Sequence, residues 1–221
     1  MEFKTQRTDL FFKNRIDAGQ KLAIALKKFK GKDVVIFALT RGGVPVGKEV
    51  ARGLNCPFEP LIIRKIGHPM NPEYAIGAIS SGGQIVVNES EVSELDKNWF
   101  QQESEKQKEE AERRVKIFLR NHAPISITQK IAIIIDDGIA TGFTMRAAIK
   151  EIKNRHPQKL VVAVPVAPPD TIEMIARQVD ECIVLSVPDN FLGAVGSYYE
   201  DFHEVTDEDV LNILKHDETK E

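Results

Sequence analysis

The chain has 221 residues, of which 42% are hydrophobic and 29% are charged, with only 2 cysteines. A chain of this length can bury a sizeable core, which excludes a disulfide-built miniprotein and a disordered tail. Thirty Lys and Arg against 33 Asp and Glu give a net charge of −3. The overall basic excess that is typical of nucleic-acid-binding proteins is therefore missing, although a local basic patch stays open.

Two features predict a cytoplasmic protein. Cys56 and Cys182 lie far apart without a metal-ligand spacing, which favours two reduced thiols over a disulfide or a zinc site. The start of the chain carries charges where a signal peptide has an apolar stretch, and the apolar runs are much shorter than a membrane span. We therefore expect neither a membrane nor a nucleic acid among the partners.

Apolar runs alternate with helical patterns along the chain. In chain order, they predict a helix over Asp17–Lys30, a strand over Val34–Leu39, a helix to about Leu54, a strand over Glu59–Ile66, a hairpin of Ala75–Ser80 and Gln84–Asn88, a charged helix over Glu91–Arg120, a strand over Lys130–Asp136, a helix over Thr144–Arg155, a strand over Leu160–Ala167, a helix over Asp170–Val179, a strand over Cys182–Val187 and a helix over Asp207–His216. Between the second strand and the hairpin, Gly67–Pro72 is expected to be neither helix nor central strand.

This order predicts an α/β fold with a central parallel sheet and helices on both faces. We expect residues 1–221 to form a single domain, with a lid and hairpin insertion at about residues 67–90. The hairpin and the chain ends are expected to form a small accessory subdomain. The alternating charges of the long helix favour a solvated face with i,i+4 pairs over a nucleic-acid surface.

The stretch from Ile131 to Thr144 is the most informative part of the sequence. A buried strand ends in two adjacent carboxylates, Asp136 and Asp137, and a loop with two glycines and two threonines then opens a helix. Ligands of open parallel sheets sit beyond the carboxyl ends of the strands, and helix N-termini bind phosphate. Because two carboxylates would repel a phosphate, they suit ribose hydroxyls or a bridging metal ion. This combination favours a ribose 5-phosphate site over the alternative, in which the acids only cap the helix.

This stretch resembles the signature of the type I phosphoribosyltransferases, in which an apolar strand and two acidic residues precede a loop that ends in Thr-Gly-x-Thr. The resemblance implies that the 5-phosphate of phosphoribosyl pyrophosphate (PRPP) is bound by the loop residues Gly138, Ile139, Ala140, Thr141, Gly142, Phe143 and Thr144. Nearly the whole chain is similar to a group of predicted phosphoribosyltransferases whose motifs do not define the acceptor. The matching stretches are ALTRGGVPVGKEVA, NPEYAIGAI, VAVPVAPPD and AVGSYYEDF.

The loop after the first strand carries a second part of the resemblance. Thr40, Arg41, Gly42 and Gly43 resemble the loop that binds the pyrophosphate of PRPP. In the family this loop contains a cis peptide bond, which the resemblance implies between Thr40 and Arg41.

A third part of the resemblance lies before the hairpin. Arg64 and Lys65 resemble the Arg-Lys pair that opens the mobile catalytic loop of orotate phosphoribosyltransferases. Gly67–Asn71 is then expected to be a mobile lid, because Gly and Pro flank it. His68 could donate a proton to the leaving pyrophosphate, and an inert surface histidine stays equally open.

The resemblance implies a transferase that moves ribose 5-phosphate from PRPP to a small nitrogen base and releases pyrophosphate. Asp136 and Asp137 would hold the ribose hydroxyls and lend negative potential near the cationic ring, and they remain candidates for contact with metal. Mg²⁺ with Arg41, Arg64 and Lys65 would neutralise the leaving group, and a homodimer is expected. A PRPP- or nucleotide-sensing regulator of the same fold is the alternative. The chain lacks a basic surface or DNA-binding extension, which favours the enzyme.

The segment Val187–Phe191 bears on the acceptor. It resembles the segment of hypoxanthine-guanine phosphoribosyltransferases in which an aromatic ring stacks on the purine, so Phe191 is a candidate base platform; an ordinary core Phe is equally open. Those enzymes have an Asp where this chain has Ala140, and a Lys after the strand that corresponds to the uncharged Val161–Ala167. Hypoxanthine and guanine are therefore expected to be poor acceptors.

Overall fold

The computed structural model describes residues 4–5, 11–119 and 124–218, with side chains over 11–119 and 124–215. The predicted helix end at Arg120 lies outside these ranges. The described strands are β1 (Lys4–Thr5), β2 (Val34–Leu39), β3 (Phe58–Leu61), β4 (Ile63–His68), β5 (Asn71–Ser80), β6 (Ile85–Val87), β7 (Ile131–Ile135), β8 (Lys159–Val166) and β9 (Glu181–Ser186). The described α-helices are α1 (Arg15–Ala25), α2 (Gly43–Leu54), α3 (Glu89–Ser93), α4 (Lys97–Phe118), α5 (Phe143–Lys153), α6 (Pro169–Ala176) and α7 (Asp207–Glu218).

Two sheets organise these elements. The first is parallel throughout, with six strands in the order β1-β9-β8-β7-β2-β3. The second is antiparallel, in the order β4-β5-β6. The α/β fold with a central parallel sheet is thus confirmed, and the antiparallel sheet is its accessory part. That residues 1–221 form one domain stays a prediction.

The core lies on both faces of the parallel sheet, because successive side chains of a strand point to opposite faces. On one face, Phe37 and Ile134 pack with α5, α6 and the antiparallel sheet. On the other face, Ile36 and Ile133 pack with α1 and α2. Strands that are covered on both sides need continuous apolar runs, as their sequences show.

Two strand predictions need correction. The single strand over Glu59–Ile66 is wrong, because the chain changes sheets at Ile62, between β3 and β4. The segment Gly67–Pro72, which was expected to be neither helix nor central strand, is partly strand: β4 ends with Gly67 and His68, and β5 begins with Asn71 and Pro72 after a two-residue turn. Pro72 is tolerated there since only Gly77–Ile79 of β5 pairs with β6.

The charged helix and the chain ends also differ from expectation. The helix is divided into α3 and α4, and Asp96 caps α4 by accepting a hydrogen bond of 2.8 Å from the Trp99 amide. As expected, its surface carries charge pairs at helical spacing, such as Lys108–Glu112. The described parts of the chain ends contribute no strand to the accessory sheet, since β1 pairs with β9 and α7 packs against α2 and α4. Within the described ranges, no helix has the length and apolar content needed to cross a bilayer.

Candidate active site

Two loops with predicted site residues meet at the carboxyl edge of the parallel sheet. They follow the neighbouring strands β2 and β7, which are paired with Ala38 opposite Ile135. A Cβ atom added at Gly42 would lie 2.0 Å from Oδ2 of Asp137, and one added at Gly43 would lie 2.9 Å from Cα of Asp136. Only glycine permits so close an approach, so both glycines of the first loop are needed to bring it against the acids.

The first loop has the backbone expected of a pyrophosphate loop. The peptide bond between Thr40 and Arg41 is cis, which confirms the expectation. The Thr40 amide donates to the carbonyl of Leu61 at 3.1 Å. The Arg41 side chain forms ion pairs with Glu204 and with Asp207, the latter at 3.6 Å.

The acid pair lies directly behind this loop. The backbone amide of Asp137 donates to Oδ1 of Asp136 at 2.9 Å. Burial raises the pKa of Asp136 well above its ordinary value, and the nearby charge of Asp137 adds to the shift. Burial also raises the pKa of Asp137, although Arg15 opposes this change. Two carboxyl groups with little access to water can bind neutral hydroxyls, which supply the hydrogen bonds that burial removes.

Two residues that the sequence reasoning missed bond to Asp137, and a third, Phe202, packs against both of them. Nε of Arg15 donates to Oδ2 of Asp137 at 2.8 Å, and Nη1 donates to the carbonyl of His203 at 2.8 Å. The Arg15 guanidinium carbon lies 3.7 Å from the ring centroid of Phe202. The Tyr199 hydroxyl donates to the carbonyl of Asp137 at 2.5 Å. Tyr199 and Phe202 lie in the AVGSYYEDF segment, whose resemblance carried no assigned role, whereas no local pattern distinguished Arg15.

The second loop leads into the N-terminus of α5. The N-cap residue Gly142 has φ +80° and supplies no side-chain hydrogen bond, so the interpretation of the two acids as caps of this helix is wrong. The first backbone N–H groups of a helix have no intrahelical acceptor, and they suit a phosphate. The carbonyl of Ala140 accepts a bond of 2.9 Å from the Thr171 hydroxyl, and the Ile139 amide donates to Val166 at 2.9 Å. These two bonds hold the loop in place.

The other predicted phosphate-loop residues differ in exposure. Gly138 is buried, and a Cβ atom there would lie 2.5 Å from Cγ1 of Val195. Thr141 is exposed, and Thr144 is partly buried in the first turn of α5. Thr141 and Thr144 are therefore both accessible from solvent, as a phosphate site requires.

The structure brings Arg64 near the first loop. Its Nε donates to Oε1 of Gln107 at 3.0 Å. Burial lowers the pKa of Arg64, and the charges of Arg114 and Arg41 lower it further. The nearby carboxylates Glu110 and Asp207 oppose this shift and pair with Arg114, so the three arginines lie in a network of alternating charges beside the first loop.

Lys65 and His68 lie on the hairpin itself. Nζ of Lys65 contacts the carbonyl and a carboxylate oxygen of Glu73, at 3.3 and 3.1 Å. Nδ1 of His68 accepts from the Met70 amide at 3.2 Å. Within the described residues, neither side chain bonds to the acid pair. Their catalytic roles, and the closure of Gly67–Asn71 as a lid, stay predictions.

Phe191 is part of an aromatic stack. Its ring centroid lies 5.4 Å from that of Tyr198 at an interplanar angle of 24°, and Phe11 stacks on Tyr198 at 5.8 Å. The Tyr198 hydroxyl accepts from the Leu192 amide at 2.9 Å, which ties the loop to the stack. Phe191 is partly buried against this cluster, so packing explains part of its environment. Its role as a base platform stays a prediction.

The two cysteines and the possible metal ligands are the last groups that the sequence singled out. Cys56 and Cys182 are free thiols, as expected, and burial raises their pKa values to about 11 and about 12. No group of three or more His, Cys, Asp or Glu in the described ranges could hold a metal ion. That Asp136 and Asp137 contact a metal stays a prediction.

Comparison with known proteins identifies the family of this chain. The family model of the phosphoribosyl transferase domain matches residues 13–201. The chain belongs to the phosphoribosyl transferase family. It is 41% identical over 205 residues to a protein of Mycobacterium tuberculosis H37Rv whose name assigns it provisionally to the phosphoribosyl transferases. The match covers 92% of this chain and 46% of that protein, so the chain spans about half the length of the curated relatives it matches.

Solved structures give the same fold. The crystal structure of TT1426 from Thermus thermophilus is 38% identical, with a TM-score of 0.77, and the match covers 94% of this chain and 99% of that one. The AQ2163 protein from Aquifex aeolicus is 14% identical with a TM-score of 0.50, over 81% of this chain and 78% of that one. The second likeness concerns the fold alone.

Proposed function

We propose that the protein transfers ribose 5-phosphate from PRPP to a small nitrogen base and releases pyrophosphate. The observation that carries this proposal is the contact of Gly42 with Asp137, whose Oδ2 atom would lie 2.0 Å from an added Cβ. This contact joins the cationic first loop to the acid pair, and the N-terminus of α5 follows on the same loop as the acids. An anion site, a hydroxyl site and a second anion site would match the phosphate, the ribose and the pyrophosphate of PRPP. Membership of the family supports the assignment.

The reaction breaks the bond between C1 of the ribose and the pyrophosphate oxygen, and the nitrogen of the base forms a new bond to C1. Positive charge develops on the ribose ring and negative charge on the leaving group. Asp136 and Asp137 hold the ribose hydroxyls and stabilise the ring. Arg41 and Arg64 stabilise the pyrophosphate, and the loop before α5 fixes the 5-phosphate, away from the bond that breaks.

Mg²⁺ is the proposed cofactor, and the donor set agrees with it. The acid pair offers two carboxylates, and no group of three or more possible ligands occurs in the described ranges. Mg²⁺ usually keeps several waters and is held by one or two carboxylates together with the phosphates of the substrate. Asp136 and Asp137 would hold it, and when bound it would neutralise the leaving pyrophosphate. The homodimer and the cytoplasmic location stay predictions.

The direct test is the binding of PRPP with Mg²⁺, measured by thermal shift and calorimetry. We expect the wild type to be stabilised by PRPP and Asp137→Asn to show a clearly smaller response while its circular dichroism is unchanged. Asp33→Asn is the control, because this carboxylate is 66% exposed and lies at the opposite end of β2. An undiminished PRPP response in Asp137→Asn would contradict the assignment.

Turnover separates an enzyme from a sensor. Pyrophosphate release from PRPP is measured over a panel of nitrogen bases. Release with at least one base supports the transferase. Tight PRPP binding without release over the whole panel would favour the sensing alternative.

The acceptor is proposed to be an aromatic or small nitrogen base other than hypoxanthine or guanine. Ala140 and the buried, uncharged run Val161–Ala167 offer no side-chain group to read a 6-oxopurine. A kcat/KM for either purine of about 10⁴ M⁻¹s⁻¹ or more would contradict this. If Phe191 is the base platform, Phe191→Ala raises the KM for the base and leaves PRPP affinity unchanged.

A further inference from the structure

Arg15 connects the acid pair to a part of the chain far from the two substrate loops. Its side chain is only 9% exposed, and it makes three directional contacts. Nε binds Asp137 at 2.8 Å, Nη1 binds the His203 carbonyl at 2.8 Å, and the guanidinium lies over the Phe202 ring at 3.7 Å. A planar guanidinium held from three sides has little freedom to rotate.

The backbone of Arg15 is also fixed. Arg15 is the first residue of α1, and the preceding Asn14 caps that helix by accepting a hydrogen bond of 3.0 Å from the Asp17 amide. A Cβ atom added at Gly19 would lie 2.8 Å from the carbonyl of Val46, so α1 lies close against α2. The start of α1 is therefore held in a defined position relative to the parallel sheet.

Asp137 is fixed by the same neighbours. Arg15 holds one carboxylate oxygen, the Gly42 backbone lies against the same oxygen, and the Tyr199 hydroxyl holds the backbone carbonyl at 2.5 Å. The Tyr199 ring lies 4.9 Å from that of Phe202, which supports Arg15. Arg15, Phe202 and Tyr199 thus form one connected support for Asp137.

We propose that Arg15 is a positioning residue that orients the Asp137 carboxylate toward the ribose hydroxyls of PRPP. This inference rests on the proposed function, because it assigns the ribose to Asp137. Without Arg15, the carboxylate would lose a charged hydrogen bond and could turn away from the diol. A side chain of α1 would then control the affinity for PRPP, although α1 lies outside the two loops.

A double-mutant cycle tests whether Arg15 acts through Asp137. PRPP affinity is measured with Mg²⁺ by calorimetry for the wild type, Arg15→Gln, Asp137→Asn and the double variant. A hydrogen bond to a charged group corresponds to a change of about 10- to 100-fold in affinity. We expect Arg15→Gln to lose at least about tenfold in the wild-type background and less than about twofold in the Asp137→Asn background. Arg15→Lys keeps the charge without the planar fork and should give an intermediate loss.

Two further variants complete the experiment. Arg52→Gln is the matched control, because Arg52 is 61% exposed and pairs with Glu49 on the surface of α2; it should leave PRPP affinity unchanged. Phe202→Leu removes the ring below the guanidinium and keeps both hydrogen-bond acceptors of Arg15, the Asp137 carboxylate and the His203 carbonyl. Phe202→Leu replaces Arg15→Gln in the cycle if Arg15→Gln does not fold. Its loss of PRPP affinity should also disappear in the Asp137→Asn background.

The outcomes separate this inference from the proposed function. Failure of the wild type to bind PRPP would overturn both. If the wild type binds and Asp137→Asn weakens binding, an unchanged affinity in Arg15→Gln would overturn the role of Arg15 alone. Additive losses in the cycle would also overturn it, since a merely structural role lowers stability without coupling to Asp137.

Discussion

Replacing Gly42 by alanine tests whether the close contact of the two loops holds the site together. The added Cβ atom would lie 2.0 Å from Oδ2 and 2.8 Å from Cγ of Asp137. Non-bonded heavy atoms are in contact at about 3.5 Å, so either the carboxylate or the loop must move by about 1.5 Å. The carboxylate cannot follow freely, because Arg15 holds the same oxygen at 2.8 Å.

The expected loss follows from these contacts. Overpacking costs about 1–3 kcal/mol, and a weakened hydrogen bond between charged groups costs about 1.5–3 kcal/mol. A movement of the carboxylate relieves the overpacking but weakens the hydrogen bond, so the two costs do not add in full. We therefore expect Gly42→Ala to lower the free energy of unfolding by about 2–4 kcal/mol. For a chain of this size, that corresponds to a decrease in Tm of roughly 4–16 °C.

Urea unfolding measures the stability, and the thermal shift with Mg²⁺ and PRPP measures the site. Gly82→Ala is the control, because its Cβ would also meet a carboxylate, Oε2 of Glu151 at 2.5 Å. The longer Glu151 side chain can move away at the cost of one hydrogen bond from a neutral donor, the Ser80 hydroxyl at 2.7 Å, so the loss there should be about 1 kcal/mol. If Gly42→Ala were as stable as the control and kept its response to PRPP, the reasoning would be refuted.

Three further predictions concern single groups. Tyr199→Phe removes the hydrogen bond to the backbone carbonyl of Asp137 and should lower the free energy of unfolding in urea by about 1 kcal/mol; an unchanged value would contradict that bond. Glu59→Gln removes the charged partner of Arg155 and should cost about 2 kcal/mol or more, with the PRPP response intact. A hydrogen bond from a neighbouring arginine lowers the pKa of Glu110 to about 2 from 4.5. Its stabilising effect is present above pH 4.5 and lost as pH falls toward 2, so Glu110→Gln should flatten acid unfolding in that range, and an identical curve would contradict it.

The parallel sheet could be predicted because burial on both faces leaves a clear pattern. Val34–Leu39 was predicted with the bounds that β2 has in the structure. The change of sheet at Ile62 could not be predicted, since Leu61, Ile62 and Ile63 are all apolar and buried. An apolar run shows that a segment is buried but not which sheet it joins.

The site residues likewise divide into those that the sequence predicts and those that it does not. The acids and the loop before α5 are contiguous in sequence, so their motif was readable. The bond of Arg15 to Asp137 joins residues 122 positions apart. Such a contact depends on how α1 packs on the sheet, and no local periodicity encodes it.

The connection between the two sheets determines where the hairpin can open. Ile62 is 2% exposed. The carbonyl of the preceding Leu61 accepts a hydrogen bond from the Thr40 amide, and the carbonyl of Ile62 itself accepts one from the Ser81 amide at 3.4 Å. The base of the hairpin is therefore anchored to both the first loop and the β5–β6 turn, whereas its tip near Met70 is exposed. Amide hydrogen exchange should be graded along the hairpin, fast at the tip and slowest at Thr40 and Ser81, whose exchange requires the larger opening that separates the two sheets.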